Sequence, residues 1–196
     1  LFNSGILVSS GGTMTNVAVS RNNSMTISSG GIVNKANVTN GGKLSVSRYG
    51  VVNDLYVQSG QAFADISGGV VNRAKVSSTG SMHIRNYGAA NNVTVGKWGY
   101  LWLYGNGTVS SALLSSGGNM NIGSQGLAEN ITISSGAYVT VDSDGRMNDA
   151  VVEVGGSVVI NKGGSATAII ENGGVVKGDI GENVTFAAHT FSGLTL

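Results

Sequence analysis

The residues best suited to chemistry in this chain are aromatic. Tyr100-Leu101-Trp102-Leu103-Tyr104 sets three aromatic side chains into five positions. Their period-2 spacing puts all three on one face of a β-strand. His83, Tyr87 and Trp98 lie close by in sequence. An exposed cluster of this kind suits stacking on a sugar ring or contact with a protein. Covering a neighbouring loop or reinforcing cross-strand pairing would also account for it. The carboxylates offer less. Lyase or hydrolase chemistry needs clustered acids, usually beside a base. Asp142 and Asp144 come with Arg146, but nineteen positions to either side stand Gly123 and Asn161 for Asp142, and Gln125 and Gly163 for Asp144. His83 and His189 have no evident catalytic partner. Catalysis is therefore not expected, and no cofactor or metal site is read from the chain.

The spacing of nineteen matters because the chain is built on it. Gly12, Gly31, Gly50, Gly69, Gly88, Gly107, Gly126, Gly145 and Gly164 recur without a break. An unbroken period of this length marks a solenoid, one coil per repeat. Two columns alternate with a mixed one between them. The first runs Ile6, Met25, Leu44, Phe63, Met82, Leu101, Met120, Val139, Val158, and the second Val8, Ile27, Val46, Asp65, Ile84, Leu103, Ile122, Val141, Ile160. That alternation is a half-buried strand. Asp65 breaks the inward column, and a local bulge turning it outward is the expected solution. A second strand follows each marker glycine, with inward columns through Val17, Ala36 and Leu55 and through Val19, Val38 and Val57. A further apolar column through Met14, Val33 and Val52 is expected to face inward at the bend.

These columns predict an all-β chain, a β-solenoid of about nine 19-residue coils, over residues 1–175, with a partial coil at 1–5. Stacked at about 4.8 Å, the coils make a rod of roughly 40 Å. From 176 to 196 the phase is lost, and this stretch, with Phe186, His189 and Phe191, is expected to be a cap or the start of another segment. One polar column reads Thr15, Asn34, Asn53, Asn72, Asn91, Ser110, Glu129, Asn148, Thr167. Stacked amides there could hydrogen-bond along the rod, or Asn could simply suit the turns.

Composition agrees with this architecture. Gly is 32 of 196 and Pro is absent, which fits tight turns between strands that use every backbone N–H. With 11 basic and 10 acidic residues, no strong pull toward nucleic acid or an anionic membrane is expected. No apolar run reaches the roughly 20 residues of a membrane-spanning helix. Cys is absent, so there is no disulfide framework. Leu1 is not Met, and the chain reads as a piece of a longer, processed protein.

The units resemble the repeat of AIDA-type autotransporter adhesins. The stretch from Ile27 through Ser28-Ser29-Gly30-Gly31, Val33, Ala36 and Val38 to Gly41-Gly42 follows that family's loose pattern V-x-x-G-G-x-A-x-x-T-x-V-x-x-G-G. The likeness covers about residues 6–175. It departs where Asn replaces a common Thr and in the aromatic fifth and sixth coils. The resemblance implies a right-handed parallel β-helix belonging to a passenger domain, displayed on the surface of a Gram-negative bacterium. It further implies adhesion to host cells, self-association and biofilm formation. The partners would be a host receptor or glycan, or another copy of the chain. A glycosyltransferase is also implied, with Ser10, Ser29, Ser116 and Ser135 as candidate O-heptosylation sites, although turn chemistry alone explains serine there. A passive spacer holding a distal binding domain is the alternative.

Overall fold

The computed structural model describes residues 5–187 and is built of parallel strands with no helix. Each coil contributes one short strand to a 10-stranded sheet and one long strand to a 12-stranded sheet. Strand Tyr100–Leu103, for example, pairs with Ser81–Arg85 on one side and Asn119–Ile122 on the other, always in parallel. The nineteen-residue period is thus the rise from one coil to the next.

Burial follows the predicted columns. Met25, Leu44, Met82, Leu101 and Val139 are buried on the short strands, and Ala36, Leu55, Val93, Ile131 and Ile169 on the long ones. On the long strand the inward residues run Val33, Ala36, Val38. Two successive outward positions therefore separate the first pair, so the chain turns a corner there. The corner divides the long strand outright in two coils, as Thr13–Met14 and Val17–Val19, and as Thr108–Val109 and Ala112–Leu114. The polar column sits at this corner and forms a ladder. Asn34 donates to Thr15 at 3.2 Å, Asn53 to Asn34 at 2.8 Å, Asn72 to Asn53 at 2.8 Å, Asn91 to Asn72 at 3.0 Å, and Ser110 to Asn91 at 3.4 Å. Every bond runs in the same sense, one per rise.

The paired glycines serve two different needs. The first of each pair supplies a left-handed turn residue, as at Gly30 with φ 82° and Gly117 with φ 82°. The second allows close approach of the coil below. A Cβ at Gly118 would press against the Val95 carbonyl oxygen, and no side chain fits without a backbone shift.

One coil departs from the sequence expectation. Lys43 pairs with Phe63, twenty positions on, and Phe63 pairs with Ser81, eighteen positions on. The turn Ser59-Gly60-Gln61-Ala62 holds one residue more than its neighbours, and the turn after strand Phe63–Ser67 holds one fewer, so Gly69 returns to phase. A one-residue slip sends every side chain of a strand to the other face. Ala64 and Ile66 are therefore the buried pair, while Phe63 and Asp65 point outward. Asp65 leaves the core by a slip of the whole strand, and no local bulge is needed. Phe63, expected to face inward, lies on the surface.

The last described strands also change phase. Val175–Gly178 stacks on Ser157–Ile160, with Val158 opposite Val176, and Val184–Phe186 pairs with Ser165–Asn172 across an irregular register. Stacking therefore runs into the stretch expected to be a cap, and Phe186 takes part in it. His189 and Phe191 lie outside the described residues.

Candidate functional site

The outer face of the short-strand sheet carries the aromatic cluster. Strand Tyr100–Leu103 has burial alternating between exposed and buried, because Leu101 and Leu103 fill the core and drive Tyr100 and Trp102 outward. Tyr100 is 43% and Trp102 42% exposed. Trp102 stands between His83 and Asn121 on the flanking coils, as the columns predict.

His83 is the centre of the cluster. Its ring lies 4.9 Å from that of Phe63, edge-on, 5.9 Å from Trp102, tilted, and 5.9 Å from Tyr104, again edge-on. The Tyr104 hydroxyl approaches Nδ1 of His83 at 3.4 Å. Burial among these rings pushes the imidazole pKa below its ordinary value, outweighing the upward pull of the Asp65 carboxylate. The neutral ring can then accept from Tyr104. Asp65 is itself held by Arg85, whose Nε and Nη2 donate to the two carboxylate oxygens at 2.9 and 2.7 Å. The slipped coil thus supplies both Phe63 and the anion that clamps the edge of the patch.

On the other side of Trp102 the face becomes a shallow trough of about 200 Å³, lined by Tyr100, Trp102, Asn119, Asn121, Tyr138 and Thr140. Tyr100 and Tyr138 form its walls two coils apart, with Asn119 between them. Asn121 donates to Asp142 at 2.7 Å, and Asn161 donates to the same carboxylate at 2.6 Å. Asp142 is therefore committed to flanking amides. Asp144 occupies a turn tip, at φ 60°. On the long-strand sheet, Asp54 accepts from Arg73 at 2.6 and 2.9 Å, and that hydrogen bond holds the carboxyl below its usual pKa.

The structure brings together His83, Tyr100, Trp102 and Tyr104 and adds Phe63 and Tyr138. It does not bring in Tyr87 or Trp98, which the sequence reading grouped with them. Tyr87 sits in the turn that follows strand Ser81–Arg85 and Trp98 in the turn that precedes Tyr100–Leu103, so they occupy opposite edges of the sheet. Trp98 is covered on one face by Lys97, at 4.5 Å. Tyr138 was legible, since it stands two repeats after Tyr100. Phe63 was hidden by the slip. The candidate serines also divide. Ser10 and Ser29 lie in turns after short strands and Ser116 and Ser135 in turns before them. All four are exposed.

With this geometry in hand, the comparison with solved structures is decisive for the fold. A fragment of TibA, hyper-glycosylated by TibC, superimposes with a TM-score of 0.83 at 28% sequence identity, over 92% of this chain and 73% of that one. The chain has the repeat and the fold of an AIDA-type autotransporter passenger. No family model and no curated protein matches it.

Proposed function

We propose that this chain is part of a surface-displayed adhesin passenger that associates with a second copy of itself through the outer face of the short-strand sheet. The observation that carries the reading is the exposure of Tyr100 and Trp102 beside an amide-floored trough, on a face of parallel strands stacked in register. A twofold axis would set this patch of one copy against the same patch of the other. Aromatic anchors with adaptable polar neighbours are what such contacts use. The likeness to the TibA fragment supports an adhesin role outside the cell and a non-catalytic one. Adhesion to host cells and biofilm formation are the functions this contact would serve. A spacer has one observation in its favour, the stiff, continuously stacked rod, but a spacer gives no reason for exposed Trp102.

Beads coated with the chain should aggregate, and beads coated with the Tyr100→Ala/Trp102→Ala variant should stay dispersed. Equal aggregation of both would sink the proposal. The TibA fragment's glycosylation makes Ser10, Ser29, Ser116 and Ser135 proposed acceptors for a glycosyltransferase. At Ser10, Ser29 and Ser116, φ values of 54°, 48° and 49° place the residue at a turn tip. Intact-mass measurement after co-expression with a glycosyltransferase of the TibC kind should show added sugar, reduced when these serines become Ala.

A further inference from the structure

The slipped coil has a second consequence, on the edge of the rod away from Trp98. The turns after the short strands stack on one another, and their tip column reads Gly11, Gly30, Tyr49, Gly68, Tyr87, with φ of 78°, 82°, 65°, 78° and 65°. Glycine adopts this left-handed conformation cheaply and a tyrosine does not. Two bulky side chains are thus held in a conformation that favours glycine, and both project into solvent, Tyr49 66% and Tyr87 78% exposed. Between them the shortened turn ends at Gly68, which has no side chain. A Cβ there would meet the Asn86 carbonyl oxygen at 3.3 Å and the backbone of Arg48 at 3.5 Å.

The missing tip opens a cleft of about 530 Å³ lined by Arg48, Tyr49, Ser67, Gly68, Asn86 and Tyr87. That volume lies within the range of about 300–1,000 Å³ found for small-molecule sites. The two tyrosines are two coil rises apart, about 9.6 Å. Contact distances of about 3.5–4.0 Å on each side leave room for a ring thicker than a flat aromatic. The floor is polar, where Asn86 donates to Ser67 Oγ at 3.0 Å, so a wholly apolar guest would strand these groups. The lining holds a single ionised side chain, Arg48. Its guanidinium carbon lies 5.0 Å from the Tyr49 ring centroid, and no carboxylate pairs with it among the described residues. A guanidinium laid on an aromatic ring keeps its N–H edge for a carboxylate.

We infer that the Tyr49–Tyr87 cleft binds one pyranose ring bearing a carboxylate, of the uronic or sialic acid type. The apolar C–H faces of the sugar stack against the tyrosines, its hydroxyls meet Asn86 and Ser67, and its carboxylate meets Arg48. This site is separate from the aromatic face and does not depend on the self-association proposed for that face.

The test is saturation-transfer NMR on the 196-residue chain, with the methyl glycosides of glucuronic acid, N-acetylneuraminic acid and glucose as probes. At least one acidic glycoside should receive saturation, and more than the glucoside does. Tyr87→Ala and Tyr49→Ala should each weaken its binding roughly tenfold. Gly68→Asn, which fills the cleft in a backbone conformation Asn tolerates, should abolish it while both tyrosines remain. Arg48→Gln should remove the preference for the acidic sugar. Unchanged circular dichroism melts establish that the variants are folded. No transfer to any glycoside, equal transfer to the acidic and neutral ones, or transfer that survives Tyr49→Ala, Tyr87→Ala and Gly68→Asn would overturn the inference. So would tyrosine shifts induced by arginine methyl ester but by none of the sugars, which would make the cleft a seat for a partner's cation.

Discussion

Replacing Asn53 by Ala tests whether the corner ladder holds the coils together or only accompanies their stacking. Asn53 stands in the middle of the run and makes its two shortest bonds, donating to Asn34 at 2.8 Å and accepting from Asn72 at 2.8 Å. A net contribution of about 0.5–1.5 kcal/mol per hydrogen bond gives a loss of about 2 kcal/mol for the pair. The corner is half-buried, so water reaches the orphaned amides and the full desolvation penalty is not added. Asn148→Ala is the internal control. It removes a single bond, from Thr167 Oγ1 at 2.8 Å, and should cost about 1 kcal/mol. Asn53→Asp keeps an acceptor for Asn72 but sets a carboxylate against Asn34 Oδ1, and should cost at least as much as Ala. Urea unfolding followed by circular dichroism and by tryptophan fluorescence gives the free energies. Coincidence of the two probes is required because a stack of coils can unfold piecewise. An Asn53→Ala variant within about 0.5 kcal/mol of the parent, or no more destabilised than Asn148→Ala, would refute the argument.

Other consequences concern strain, charge and packing. Ala168 takes φ 54°, a conformation costing a non-glycine residue about 1–2 kcal/mol. Ala168→Gly should therefore stabilise the chain by up to about 1 kcal/mol once the added entropy of the unfolded glycine is set against it, read from the same urea curves. His83 is held below its ordinary pKa, so between that lowered value and about 6.5 the unfolded chain binds more protons than the folded one. Stability should be level above that window and fall as pH drops through it, and His83→Asn should lose this part of the pH dependence; a parallel fall in the variant would contradict it. Asp65→Ala leaves the partly buried Arg85 without its bidentate partner and should cost about 1 kcal/mol in a urea melt; no change would mean solvent replaces the ion pair fully. Gly118→Ala would press a Cβ against the Val95 carbonyl and should cost about 1–3 kcal/mol, with the lower end set by the backbone adjustment that already lets Ala62 and Ala137 occupy the equivalent turn position of other coils.

Most of the fold was legible because each coil repeats the same instructions. The inward columns, the bend marked by Val33 and Val52, and the exposure of Trp102 all follow from period-2 burial read at a spacing of nineteen. The slipped coil was not legible. Its marker glycines, Gly50 and Gly69, stay in phase, since the residue gained at Ser59-Gly60-Gln61-Ala62 is lost again before Gly69. Counting glycines cannot see a compensated shift, and Phe63 happened to be apolar in the nominal inward position. Asp65 carried the signal: a carboxylate in a core column beside Ala64 and Ile66 is resolved by moving the strand one residue. The candidate site was legible in its centre and not in its limits. Sequence proximity placed Tyr87 and Trp98 beside Trp102, but a short strand carries its two flanking turns to opposite edges. Tyr138, thirty-eight positions beyond Tyr100, lines the same trough as Tyr100 and Trp102 because two full coils return it to their face.

We propose that the aromatic face joins two copies of the chain. Sedimentation velocity across a wide concentration range, on the parent chain and on Tyr100→Ala/Trp102→Ala, tests it most directly. The parent should associate reversibly and the variant should lose that association, with circular dichroism of the two unchanged. A parent that stays monomeric at every concentration, or a variant that associates as the parent does, would contradict it.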